Sequence, residues 1–242
     1  MRHFGSVRPM SSTAGIVLAA GAGTRMGRPK GLLTDADAVP WVQRAVRALQ
    51  DAGCRPVLVA TGARAQDVGR LVPASATVVP VAGWEEGMGA SLRAALHAVA
   101  GLTATEGGGE APDAVVVTLV DMPDVTGAVV ARLLAGTGSA ATPQPPLGSP
   151  LSHSAGRRRQ GALARASYDG VPGHPVLLGR DHWPGILATT TADAGARHYL
   201  RGRDDVVLVE AGDLASGADL DTPEDVRVQD GRKGQDGRSH PS

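Results

Sequence analysis

The chain has 242 residues, and 24 Lys and Arg residues balance 24 Asp and Glu residues, so the formal net charge is zero. A neutral chain has no global attraction for nucleic acid or for an anionic membrane surface, and aromatic residues at 2% supply too few rings for a base-stacking platform. The single cysteine, Cys54, excludes a disulfide framework or a cysteine-based zinc site within one chain, which favours a cytoplasmic protein.

Short β-branched runs alternate with helical patterns along the chain. The predicted strands are residues 15–20, 56–61, 77–81, 114–120 and 205–210. Apolar residues at helical spacing predict helices over 41–53 and 91–101. Because this alternation is typical of βαβ units, we predict a single Rossmann-like three-layer α/β domain with a mainly parallel central sheet.

Three segments fall outside this periodic pattern. Residues 1–13 show no periodicity, and residues 229–242 are polar and rich in glycine. Residues 136–161 combine Pro, Gly and Ser with a run of three arginines, a composition that does not form a packed core. We therefore predict a folded domain over 14–228, a flexible insertion at 136–161 and disorder at both ends of the chain.

The first predicted strand runs into the stretch LAAGAGTRMGRPK, residues 18–30. This stretch fails the P-loop pattern, because Gly27 is followed by Arg28 instead of lysine. It also misses the dinucleotide-binding fingerprint by one position, since Met26 stands where the third glycine is required. It matches every fixed position of a third pattern, L-A-A/G-G-x-G/S-x-R-M/L-G-x-x-K, which is typical of nucleotidyltransferases.

The chemistry of this stretch suits a triphosphate. Glycines allow main-chain N–H groups to approach phosphate oxygens with no Cβ atom in the way. Arg25 can grip phosphate oxygens in a fork, and Lys30 adds a mobile point charge. Both cations would stabilise the negative charge that builds on leaving pyrophosphate, so we assign Arg25 and Lys30 to catalysis.

Two carboxylates are candidate magnesium ligands. Asp121 stands just past the strand predicted over 114–120, where the ligand crevice of a parallel sheet is expected. Magnesium takes one or two protein carboxylates together with phosphate oxygens and water; the alternative for Asp121 is a turn residue. Asp221 lies in ADLDTPEDV, where the local alternative is capping of a C-terminal helix, and Asp219 is the fallback ligand.

The loop and later stretches resemble the MobA-like nucleotidyltransferases, and most closely the molybdenum cofactor cytidylyltransferases. The later stretches occur in the family's order at residues 84–96, 121–125, 168–186, 192–200 and 219–226. The resemblance implies the fold of the nucleotide-diphospho-sugar transferases and a metal pair of Asp121 and Asp221, with Asp121 also catalytic. It implies nucleotide contacts from Leu18, Ala19, Ala20, Gly21, Gly23, Thr24, Arg25, Lys30, Gly62, Gly89 and Ser91.

The resemblance also implies the reaction. Family members use Mg²⁺ and a nucleoside triphosphate, here CTP, to nucleotidylate the phosphate of molybdopterin, with His174, Asp193 and Arg197 on the acceptor side. Cytidylyl members tend to carry alanine where Ala20 stands and guanylyl members glycine, which favours CTP. The alternatives are guanylyl or uridylyl transfer to another phosphate acceptor, and a non-catalytic accessory that delivers the molybdenum cofactor to a molybdoenzyme client.

Overall fold

The computed structural model describes residues 12–102, 112–137, 159–191 and 195–228. Within these ranges the strands are β1 (Thr13–Ala19), β2 (Val57–Thr61), β3 (Thr77–Pro80), β4 (Ala114–Leu119), β5 (Leu163–Tyr168), β6 (Val171–Gly179) and β7 (Val206–Glu210). The helices are α1 (Trp41–Asp51), α2 (Ala65–Leu71), α3 (Met88–Gly101), α4 (Gly127–Gly136), α5 (Trp183–Thr189), α6 (Arg197–Leu200) and α7 (residues 223–228).

The strands form one sheet in the order β3-β2-β1-β4-β6-β5-β7. Six of them run in the same direction, and β6 is antiparallel to both of its neighbours. The chain moves outward from β1 to β3 and then returns to β4 through α3. Because such crossovers are right-handed, this reversal places α1 and α3 on opposite faces of the sheet. The predicted three-layer α/β fold is confirmed.

The five predicted strands are present, but the sequence analysis missed the hairpin of β5 and β6. Its two-residue turn is Asp169-Gly170, and both residues have positive φ angles, 52° and 78°. Asp-Gly is favoured in such turns because both central positions need a left-handed backbone. The dipeptide was therefore the available signal, although Pro172 and Gly173 break the apolar alternation around it.

The core lies on both faces of the central strands. Every residue of β1, β2 and β4 is buried, as expected for strands covered by helices on both sides. Because β1, β2 and β4 run parallel, the residues that follow them lie at the same edge of the sheet. Within the described ranges, none of the helices combines the length and apolar character that crossing a bilayer requires.

The structure describes the predicted flexible segments only at their inner ends. Residues 1–11, 138–158 and 229–242 lie outside the described residues, so the disorder expected there stays a prediction. At the inner boundaries, Thr13 already belongs to β1 and Gly136 ends α4. The Arg159 guanidinium donates to the Thr13 hydroxyl at 2.9 Å, so the last part of the predicted insertion packs on the domain.

Candidate active site

The stretch after β1 forms the glycine loop, defined here as residues 21–30. It turns through a short 3₁₀ helix, Thr24–Met26, before the chain enters a second one at Lys30. Gly23 has φ +61°, and a Cβ atom there would lie 2.0 Å from the carbonyl oxygen of Arg28. Glycine is therefore required at this position by backbone conformation and by close approach of the chain.

The glycine loop presents main-chain donors to open space. The N–H groups of Gly21, Ala22 and Gly23 have no acceptor within the described part of the chain. A Cβ atom at Gly21 would meet nothing within 4 Å. Consecutive N–H groups with no internal partner are available to bind the oxygens of an anion.

Two distant chain segments bring the candidate carboxylates to this loop. Asp121 follows β4 by two residues, and Asp221 lies just before α7. The segments are joined by a main-chain hydrogen bond in which Leu220 donates to the carbonyl of Asp121 at 3.0 Å. The Asp225 carboxylate accepts from the N–H groups of Asp221 and Thr222 at 3.0 and 2.7 Å, which fixes the second segment.

Lys30 links the two carboxylates. Its Nζ lies 2.5 Å from Asp121 Oδ2 and 2.5 Å from Asp221 Oδ1, although these residues are 91 and 191 positions away in sequence. Arg25 reaches the other oxygen of Asp221 at 2.8 Å. The side chains of Lys30 and Asp121 are 15% and 16% exposed, so this contact is largely shielded from water, whereas that of Arg25 is 69% exposed.

These contacts shift two pKa values. Burial lowers the pKa of Lys30, but its hydrogen bonds to Asp121 and Asp221 outweigh burial and hold the pKa above the usual value. The hydrogen bond from Lys30, with the charge of Arg25, lowers the pKa of Asp221. Lys30 therefore carries a full positive charge, and Asp221 a full negative charge, at neutral pH.

One oxygen of this network has no partner. Asp121 Oδ1 is buried and accepts no hydrogen bond within the described residues. A buried carboxylate oxygen without a partner is costly and points to a missing ligand. A hard divalent cation such as Mg²⁺ prefers such oxygens. Among the described residues, no cluster of three or more His, Cys, Asp or Glu side chains could hold a metal ion. The protein ligands of a divalent ion at this site would therefore be Asp121 and Asp221, with the remaining positions filled by phosphate oxygens and water.

The glycine loop and the carboxylates border a cavity of about 300 Å³, termed the main cleft. Asp121 and Asp221 line it, as do nine of the predicted nucleotide-binding residues: Leu18, Ala19, Ala20, Gly21, Gly23, Thr24, Arg25, Lys30 and Ser91. The helix predicted over 91–101 begins earlier, at Met88, so Ser91 lies on a buried turn within α3.

Two predicted nucleotide-binding residues do not line the main cleft. Gly62 lies beneath Trp84, and a Cβ atom there would be 2.5 Å from the Cβ of that tryptophan. Gly89 packs against the following segment, where a Cβ atom would be 2.2 Å from the carbonyl oxygen of Thr191. In this structure both glycines serve close packing.

The sequence analysis missed Trp84 as a wall residue of the main cleft, which Met88 also lines. Both lie in the stretch WEEGMGASL, which was singled out only for its family resemblance. The available signal was a large apolar residue on each side of Gly87, whose φ of 108° turns the chain into α3.

A second cavity of about 230 Å³ adjoins the main cleft and shares Met88 and Leu119 with it. Its lining includes the predicted acceptor residues His174 and Arg197. The third predicted acceptor residue, Asp193, lies outside the described residues. Sequence analysis missed one basic residue of this wall, Arg165, whose guanidinium donates to the carbonyl of Pro172 at 3.1 Å.

The lining of the second cavity also contains Asp219. Burial, together with the nearby charge of Asp121, raises the pKa of Asp219 to about 6. Asp219 does not contact Lys30, whereas Asp221 does. The geometry therefore favours Asp221 over Asp219 as the partner of Asp121.

Replacing His174 is expected to change the pH dependence of stability. Burial, with the charges of Arg165 and Arg197, lowers the pKa of His174 from 6.5 to about 4, so the unfolded chain takes up this proton first. Stability is thus lost as the pH falls from about 6.5 to 4, by up to roughly 3.5 kcal/mol at about 1.4 kcal/mol per pKa unit. Urea denaturation at several pH values should give a shallower acid limb for His174→Gln; an unchanged limb contradicts the assignment.

Doubly wound sheets that bind a ligand at the carboxyl edge, after a glycine-rich turn, are characteristic of nucleotide-binding α/β proteins. Within that class the chain belongs to the MobA-like NTP transferase family, whose domain matches residues 15–207. Nicotine blue oxidoreductase of Paenarthrobacter nicotinovorans is 31% identical over 222 residues, which cover 88% of this chain and 93% of that protein.

Two crystal structures share the fold. A Mycobacterium tuberculosis Rv0371c homologue from Mycobacterium sp. strain JC1 superposes with a TM-score of 0.69 at 24% identity, over 94% of this chain and 99% of that chain. Rv0371c of M. tuberculosis H37Rv, solved as a complex with manganese, gives a TM-score of 0.63 at 24% identity, over 90% and 97% of the two chains.

Proposed function

We propose that this protein is a magnesium-dependent nucleotidyltransferase that transfers CMP from CTP to the phosphate of molybdopterin and releases pyrophosphate. The observation that carries the proposal is the bridge from Lys30 to Asp121 and Asp221 beneath the glycine loop, with Asp121 Oδ1 left unpartnered. Two cations therefore lie beside main-chain N–H groups and a carboxylate oxygen that have no partner within the described residues. A triphosphate with its divalent ion needs these groups.

The main cleft suits the nucleotide. Its volume of about 300 Å³ falls at the lower end of the range for small-molecule sites. The unpaired N–H groups of the glycine loop would bind phosphate oxygens, and Arg25 and Lys30 would neutralise charge on the departing pyrophosphate. Asp121 and Asp221 would hold Mg²⁺, which supplies further neutralisation of the triphosphate when bound.

The transfer itself needs no general base. The acceptor phosphate oxygen is already anionic near neutral pH, so it attacks the α-phosphorus of CTP directly. One P–O bond forms to the acceptor while the bond from the α-phosphorus to its bridging oxygen breaks, and pyrophosphate leaves with that electron pair. The protein's contribution is in-line positioning and charge stabilisation, with the acceptor phosphate directed from the second cavity.

Base selection is assigned to Ala20, which is 4% exposed and lines the main cleft. Its methyl group would crowd a purine more than a pyrimidine. One methyl in such a site discriminates by about 1 to 3 kcal/mol, so Ala20→Gly should raise the ratio of kcat/KM for GTP to that for CTP by tenfold or more. Steady-state rates with both nucleotides check this, and an unchanged ratio removes Ala20 from base selection.

The experiment that tests the function is a pyrophosphate-release assay. Purified protein, Mg²⁺ and molybdenum cofactor are combined with CTP, GTP, ATP or UTP in turn, and the cofactor product is identified by mass. Release with CTP alone is the expected result. Release with GTP or UTP alone favours the corresponding transferase, and no release favours a cofactor-binding accessory protein that serves a molybdoenzyme client.

A second candidate is an oxidoreductase, favoured by the 31% identity to nicotine blue oxidoreductase. The same cleft would then hold a redox substrate instead of a triphosphate. Incubation with nicotine blue and a reduced nicotinamide dinucleotide, followed by absorbance, separates the two functions. Dye reduction without pyrophosphate release would replace the transferase proposal.

A further inference from the structure

Lys30 occupies the carboxylate oxygens that a metal ion would use. Asp121 and Asp221 have four oxygens between them, and cationic side chains contact three: Lys30 takes one from each residue, and Arg25 takes the other oxygen of Asp221. Of these four oxygens, Asp121 Oδ1 alone has no partner within the described residues. The two cations balance the two carboxylates, so the group has no net charge.

This arrangement opposes binding of a divalent ion by itself. Magnesium holds its ligands at about 2.0–2.1 Å, so an ion bound to both carboxylates would lie close to an ammonium that is 2.5 Å from each of them. The repulsion is strong because Lys30 and Asp121 are shielded from water. Lys30 must therefore release at least one carboxylate before the pair can hold the metal.

A triphosphate offers Lys30 an alternative partner. Lys30 ends the glycine loop, whose free N–H groups border the same cleft. A lysine suits an exchange of partners, since its ammonium is a point charge on a flexible four-carbon stem and needs no fixed bidentate geometry. Arg25 is mostly exposed and can turn toward the same ligand.

We infer that Lys30 exchanges partners on nucleotide binding: it bridges Asp121 and Asp221 in the free protein, and the triphosphate draws its ammonium away and frees the carboxylates for the divalent ion. Metal alone therefore binds weakly, and metal and nucleotide bind cooperatively. By linkage, the triphosphate also binds more tightly when the metal is present. The inference rests on the proposed function in taking a triphosphate and a divalent ion as ligands.

The composition of the chain allows a direct test by NMR. Lys30 and Lys233 are the only lysines among its 242 residues. Protein labelled with ¹³C at lysine Cε should give two signals, which a Lys233→Arg variant assigns. Titration with inorganic tripolyphosphate in the absence of divalent ions should shift the Lys30 signal saturably. A stationary Lys30 signal overturns the exchange.

Binding of Mn²⁺ to the nucleotide-free protein gives a second test, followed by the EPR signal of the free ion. Lys30→Met should bind Mn²⁺ at least tenfold more tightly than the wild type, because the competing ammonium is gone. Lys30→Arg, which keeps a cation there, should remain close to the wild type. Arg28→Met is the matched control for lost loop charge, since exposed Arg28 has no ion pair within the described residues, and it should change the affinity less than twofold.

Equal Mn²⁺ affinities for wild type and Lys30→Met would also overturn the inference. Neither test contains CTP or an acceptor. A protein that transfers CMP while its Lys30 signal stays still keeps the proposed function and loses the exchange. A protein that fails the pyrophosphate assay but shows both effects keeps the exchange and loses the proposed function.

Discussion

Asp121→Asn is expected to lower the rate of Mg²⁺-dependent pyrophosphate release at least a thousandfold while the protein stays folded. The amide removes one negative charge from the pair that would hold the metal, and it replaces the one oxygen of that pair that has no partner within the described residues. A thousandfold loss corresponds to about 4 kcal/mol of transition-state stabilisation, a scale typical of lost charge stabilisation by a metal. Lys30 retains Asp221, so the fold should survive.

The measurement is the single-turnover rate of pyrophosphate release, with circular dichroism to verify folding. Asp124→Asn is the matched control, because it removes the same charge three residues along the chain. Its carboxylate accepts from the N–H and hydroxyl of Ser216 at 2.7 and 2.6 Å and does not line the main cleft. The control should keep most of the wild-type rate. An Asp121→Asn variant with more than a tenth of that rate contradicts the metal assignment.

Gly23→Ala is expected to destabilise the protein by roughly 2 kcal/mol and to weaken nucleotide binding more than tenfold. The added methyl meets the carbonyl oxygen of Arg28 at 2.0 Å, and the φ angle of +61° is itself unfavourable for alanine. Relief requires the glycine loop to move, which displaces its N–H donors. Urea denaturation and CTP titration by calorimetry measure the two effects.

Gly27→Ala separates backbone strain from the close contact. Gly27 also has a positive φ, +71°, but a Cβ atom there meets nothing within 4 Å. The Gly27→Ala variant should lose only the conformational penalty of about 1 kcal/mol in stability, and its nucleotide affinity should change little. If the two variants lose the same stability and affinity, the contact with Arg28 does not control the shape of the loop.

The glycine loop could be predicted from sequence because its requirements are local. Thirteen consecutive positions contain the turn, the exposed main chain and both cations, and Gly23 shows the strain that such a pattern implies. Because Asp121 directly follows a predicted buried strand, the sequence also predicted that it lies at the edge of the sheet. These features depend on neighbouring residues and on the general geometry of parallel sheets.

Other parts of the site depend on contacts between distant segments. The sequence analysis assigned Lys30 to phosphate and had no means to show that its ammonium lies between two carboxylates 91 and 191 positions away. The packing of Gly62 under Trp84 and of Gly89 against Thr191 is equally non-local. Glycines near a site have two physical uses, contact with a ligand and contact with another chain segment, and composition alone does not separate them.

The antiparallel strand β6 allows one wall of the site to change in sequence independently of the other. Because β6 is antiparallel to β4, its beginning, including His174, lies beside the end of β4 and the segment that carries Asp121. One wall of the sheet edge thus comes from parallel strands and the glycine loop, and the other from a hairpin that a two-residue turn connects. Substitutions in the hairpin can alter the second cavity while the loop is retained. On the proposed function, such substitutions would change the acceptor while the glycine loop keeps one way of binding a triphosphate.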